Sequence, residues 1–129
     1  MQIRFYHILI ILFTITILHI SSVLFGWYSG SVIWVDNIEH ILAGIALSMF
    51  FIFIRKNRSS NKKKIAVHII LFVLLIAILW ELFEFLLLTH LPFYATKFDL
   101  YSPTLMEALE DIISNLIGSI LFILFNKNK

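Results

Sequence analysis

Glu81 and Glu84 interrupt a run, Ile65 to Leu88, that is otherwise apolar apart from His68 and Trp80. They stand three residues apart, so in a helix they share one face. Asp36 and His40 are four apart, with Gly44 and Ser48 continuing the stripe, and Glu107, Asp111, Asn115 and Ser119 again step by four. Carboxylates and imidazole in such stripes can hold a cation or move a proton. Oxygen plus imidazole donors suit zinc, manganese, iron or nickel, whereas all-oxygen donors suit magnesium or calcium. The expected divalent-metal ligands are Asp36, His40, Glu84, Asp111 and Asn115, and the expected catalytic residues are Glu81 and Glu84, one or the other serving as base. The chain has no cysteine, which removes disulfides, thiolate ligands and cysteine nucleophiles.

The elements that must position these groups follow from hydropathy. The chain has 129 residues, 60% of them hydrophobic and 14% charged, where a soluble domain of this size is nearer a quarter charged. Its mean hydropathy is +0.96. A bilayer core needs about 20 apolar residues as helix. Four segments meet that need, at about 5–25, 32–54, 65–89 and 104–125. None carries the hydrated face of an amphipathic soluble helix. The expected fold is all-α, a polytopic four-helix antiparallel membrane bundle forming a single domain over 1–129. Segment one is read as a retained span, because it exceeds a usual signal h-region and no small-x-small cleavage motif follows Ile20.

Charge sets the orientation. Arg4, Arg55, Lys56, Arg58, Lys62, Lys63, Lys64, Lys127 and Lys129 fall on one face of a chain with an even number of spans, leaving only Lys97 opposite. Basic residues stay cytoplasmic, so both termini are expected inside an inner (plasma) membrane, with 26–31 and 90–103 outside. Trp27, Tyr28, Trp34, Tyr94 and Tyr101 then fall at the outer boundary, where amphipathic rings settle. With a rise of about 1.5 Å per residue, His19, Asp36, His40, Glu81, Glu84, Glu107, Glu110, Asp111 and Asn115 reach one layer roughly 5 to 12 Å below the outer surface. An intramembrane charge costs roughly 3 kcal/mol or more, so such a layer reads as a site. With no lysine or arginine among them, some of these acids must hold protons or a cation must balance them. Gly44 with Ser48, and Ser114 with Gly118, are small-xxx-small pairs that permit close helix approach.

Some of these residues also have ordinary structural accounts. Asp36-x-x-Glu39 and Thr104-x-x-Glu107 both match a capping box. Glu110 or Asp111 can face headgroups, and His19 can simply bond a neighbouring helix. Three function classes therefore stand open: a metal-assisted hydrolase or cation-binding site acting on a lipid-linked substrate, a proton or cation transport component, and a structural or partner-docking subunit. Whether the chain is an enzyme is left open. The expected partners are the bilayer, anionic lipid headgroups at the basic loop 55–64, and a second copy of the chain if the site is shared; nucleic acid is not among them.

The motifs Asp36-x-x-x-His40-x-x-x-Gly44, Trp80-Glu81-x-x-Glu84 and Asp111-x-x-x-Asn115-x-x-Gly118, in that order, resemble the uncharacterised YjdF-type bacterial inner-membrane proteins. The start of segment two also looks loosely like VanZ-type membrane proteins, which are linked to glycopeptide resistance. The resemblance implies that Asp36, His40, Glu81, Glu84, Asp111 and Asn115 belong together, and it implies no particular reaction.

Overall fold

A computed structural model describes residues 3–27, 34–55, 61–100 and 104–127. Tyr28, Tyr101, Lys56, Arg58, Lys129 and the Ser102-Pro103 pair lie outside the described residues. Four long helices are apolar enough to cross a membrane: α1 (Phe5–Phe25), α2 (Trp34–Ile54), α3 (Lys62–His90) and α5 (Leu105–Lys127). A short α4 (Pro92–Lys97) sits between α3 and α5, where the sequence suggested only a connection. No strand occurs among the described residues. The fold is that of an all-α four-helix membrane protein.

Local chemistry sets the helix ends. Gly26 takes a left-handed conformation (φ 65°) and donates its N–H to the Ser22 carbonyl, closing α1. The Asn61 side chain accepts from the Lys64 N–H at 3.2 Å, so α3 starts among the lysines. At 29 residues α3 is about 43 Å long, more than a ~30 Å hydrocarbon core, and its ends extend to headgroup level. Pro92 supplies the first turn of α4, where its missing N–H costs nothing. The box expected at Thr104 forms: the Thr104 N–H and hydroxyl donate to Glu107 Oε2 at 3.0 and 3.1 Å, and the Glu107 N–H donates to Thr104 Oγ1 at 3.2 Å. Glu107 is therefore a cap.

Packing is densest between α2 and α5, which run in the same direction. Asn37 meets Ser114 and Ile41 meets Gly118, the contacts advancing by four residues on each helix. Both glycines are required by backbone proximity. A Cβ on Gly44 would lie 2.0 Å from the Asn115 carbonyl oxygen, and one on Gly118 would lie 2.0 Å from that of Ile41. Below this crossing, Ile8, Met49, Ile69, Val73 and Phe122 form an apolar core at the end where α1 and α3 begin. Above it most of the buried residues are polar, Ser22, Glu39, Glu84, Asp111, Ser114 and Asn115, with Val35 and Ala95 beside them. Phe13, Leu24, Phe85 and Phe125 are exposed on the perimeter, as lipid-facing groups are. Trp34 and Tyr94 are exposed toward the polar end.

Asp99, just after α4, adopts φ 52°, a region Asp and Asn tolerate and β-branched residues do not. Burial pushes its carboxyl above the usual carboxylate range; His19 pulls it down and Asp36 pushes it further up. The neutral carboxyl contributes stability that is fully present below the unfolded pKa, about 3.9, and is lost as pH rises through the higher folded value. Asp99→Asn keeps the backbone and removes the titration. Its melting temperature in detergent should exceed that of the parent at neutral pH, with the gap closing on acidification. Relative to Asp99→Asn, Asp99→Val should lose about 1–2 kcal/mol at every pH.

Candidate metal centre

Three side chains from two helices meet at the polar end of the α2–α5 crossing. His40 Nε2 lies 3.5 Å from Asp36 Oδ1 and 3.6 Å from Asp111 Oδ1, and donor atoms of all three fall within 4.8 Å of one another. Asp36 and His40 are one turn apart on α2, and Asp111 approaches across the glycine contacts. The Asp36 side chain is 43% exposed and the Asp111 side chain 7%, so the site opens on the Asp36 side.

The distances discriminate between two uses of these groups. They exceed the 2.7–3.2 Å of an N–H···O hydrogen bond. They are close to the edge of a tetrahedron of ligands about 2.1 Å from a zinc-sized ion, which is about 3.4 Å. Two carboxylate oxygens facing one ring nitrogen call for a positive charge among them. Two of the three ligand-to-ligand distances thus match those around a divalent ion, and the third pair of donors lies within 4.8 Å.

Asn115 stands behind the ring. Its Nδ2 donates to His40 Nδ1 at 3.0 Å and to the Asp111 carbonyl at 3.0 Å. It orients the imidazole and is not part of the trio. Ser114 Oγ donates to Asn37 Oδ1 at 2.9 Å, a second polar tie across the same helix pair. Glu84 is 7% exposed and close enough for its charge to act on His40, and it accepts from the Trp80 indole N–H at 2.7 Å. It faces the cluster without joining the trio. Glu81 is half-buried one turn further in. Glu110 is exposed, as is the capping Glu107.

His19 and Glu39 make a second polar node. His19 Nδ1 lies 3.2 Å from Glu39 Oε2, and its Nε2 donates to the Phe98 carbonyl at 3.0 Å, tying α1 to α2 and to the segment after α4. Glu39 is buried and is no cap, since α2 already begins by Trp34. Sequence reasoning passed over Glu39 because the capping pattern explained it. The signal available was its place beside His40, among apolar neighbours. The Trp80–Glu84 bond was likewise readable only as an i,i+4 spacing.

Neither the curated proteins nor the solved structures contain a match to this chain. A family model described as a predicted membrane protein, DUF2238, matches residues 1–127, which accords with the YjdF-type resemblance and leaves the VanZ likeness without support. The chain belongs to that family of membrane proteins.

Proposed function

We propose that the protein is an inner-membrane, multi-pass protein with both termini cytoplasmic, holding a divalent cation at Asp36, His40 and Asp111 near its outer face. It would use that cation to hydrolyse a lipid-linked substrate. The observation that carries the reading is the pair of His40 Nε2–carboxylate distances, 3.5 and 3.6 Å, too long for hydrogen bonds and suited to a shared ion. The segregation of basic residues supports the orientation.

A divalent ion supplies Lewis acidity and a neutral-pH nucleophile from water. The chain's own groups do the rest. Glu84, buried and held by Trp80, is the acid–base group suited to take the proton. Asn115 fixes the imidazole. The exposed edge of Asp36 leaves a side for substrate, and Phe93, Tyr94 and Phe98 with Lys97 over two of their rings (5.6 and 5.7 Å) form an amphipathic group that would suit α4 to headgroup level above it.

A relay for protons or cations across the membrane fits less well, because the described inner half is lined by apolar side chains, among them Ile8, Met49, Val73 and Phe122. The structural reading has one observation in its favour. Asn115 presents its NH2 to Nδ1, which puts the ring proton of a neutral His40 on Nε2, between the two acids. Metal binding at Nε2 must therefore release that proton, and the Asn115 amide must turn to present oxygen to Nδ1.

Elemental analysis of detergent-purified protein decides between them. Near-stoichiometric zinc, manganese, iron or nickel is expected in the parent, with loss in His40→Ala and in Asp111→Ala. Metal-free parent protein that also fails to take up added zinc would overturn the proposal.

A further inference from the structure

The cluster sits at one end of a long apolar slot. Among the described residues α1 and α3 do not approach each other closely; both flank α2, and a cavity of about 570 Å³ runs between them. Its outer end is walled by His19, Asp36, His40 and Glu84, and its inner end by Phe5, Ile8 and Phe50. From His19 to Phe5 along α1 is 14 residues, about 21 Å. The floor is made of small side chains, Ala43, Ala46 and Ala77. Elsewhere the lipid-facing surface carries large groups such as Phe13 (66% exposed) and Phe85 (64% exposed). A narrow concave slot floored by alanines, open at its side to lipid and ending on convergent polar groups, has the make-up of a ligand site: mostly apolar, with a few placed polar atoms.

We propose that this slot binds one long hydrocarbon chain of an anionic amphiphile, with its head at the Asp36–His40–Asp111 cluster and its tail toward Phe5. The chain enters sideways between α1 and α3. Length argues for a single extended chain: the slot is longer than the ~15 Å half-thickness of a hydrocarbon core, so a compact headgroup alone leaves most of it empty. Thr16, about one turn from His19 along the slot, already donates its hydroxyl to the Leu12 carbonyl at 2.9 Å and asks nothing of an occupant. The head assignment rests on the cation reading above, since an anion meets Asp36, Asp111 and Glu84 favourably only through a bound cation; the chain assignment does not.

The probe is hexadecyl phosphate carrying a diazirine at the far end of its chain, added with zinc to the purified protein in detergent and photolysed. Labelling is expected on the Phe5–Leu12 and Leu47–Phe50 peptides, competed by hexadecyl phosphate and not by octyl phosphate. Thr16→Trp, at an exposed position that tolerates bulk, and Ala43→Phe should each lose this label while binding zinc as the parent does. Label spread equally over Phe13, Leu24 and Phe85 peptides, unchanged by either variant, would overturn the chain site. Label on the expected peptides that persists in EDTA and in His40→Ala would overturn the head assignment while the chain site stands; the cation reading itself falls only if the parent protein takes up no zinc.

Discussion

Gly118→Ala is expected to lower the melting temperature in detergent sharply, and Gly118→Leu to prevent accumulation of folded protein. The first added carbon would fall 2.0 Å from the Ile41 carbonyl oxygen, a backbone atom that cannot swing aside. Relief requires α2 and α5 to separate along their whole contact. Overpacking of this kind costs about 1–3 kcal/mol where side chains can yield, and here only a helix can. In lipid no hydrophobic drive restores the pairing, because lipid tails are as apolar as leucine and association depends on close contact. Gly44→Ala should behave alike, since its Cβ would meet the Asn115 carbonyl at 2.0 Å. Separation would also draw Asp111 away from His40, so any Gly118→Ala protein that survives should have lost zinc affinity together with stability. Ile117→Leu, beside it but facing lipid at 43% exposure, should melt as the parent does. A Gly118→Ala protein with parental melting temperature would show that the helices are not this close.

The same glycine stripe explains what could be read from sequence. Hydropathy located all four spans, because a 20-residue apolar run has few alternatives to crossing a bilayer. It ended segment three's start at Ile65, whereas α3 begins at Lys62, since the Asn61 cap and headgroup-level lysines extend a helix without adding hydropathy. The stripe Asp111, Asn115, Gly118 picked the inward acid over its neighbour Glu110, which lies a hundred degrees round the helix and is exposed. Asp36 and His40 followed from the same four-residue rule. Harder to read were contacts that depend on rotation and depth of one helix against another. The joining of His19 to Glu39 and to the Phe98 carbonyl needs the relative height of α1, α2 and the α4 segment, and no local spacing supplies it. Glu107 and Glu39 show the ambiguity of one signal: both sit at the fourth place of a capping pattern, and only Glu107 caps.

Asn115 separates a metal site from a polar clamp through the sign of a single substitution. Its amide is the only described group bonded to both His40 Nδ1 and the Asp111 carbonyl, so it sets the ring's orientation and its tautomer together. Asn115→Leu removes both bonds at similar volume. If His40 ligates through Nε2, loss of the partner at Nδ1 should weaken zinc binding by about 10–100-fold, the usual effect of removing a ligand's supporting hydrogen bond. Asn115→Asp presents an acceptor to Nδ1 without any turning of an amide. It holds the ring proton there, directs the Nε2 lone pair at the ion, and should bind zinc at least as tightly as the parent. A clamp held by hydrogen bonds predicts the reverse for that variant: a third carboxylate beside Asp36 and Asp111, with the bond to the Asp111 carbonyl gone, would lower the melting temperature, and zinc would not restore it. Zinc titrations and melting curves on these two proteins, with and without EDTA, therefore move in opposite directions under the two readings. Rescue of Asn115→Asp stability by zinc is the expected result, and its failure would make His40 a structural residue.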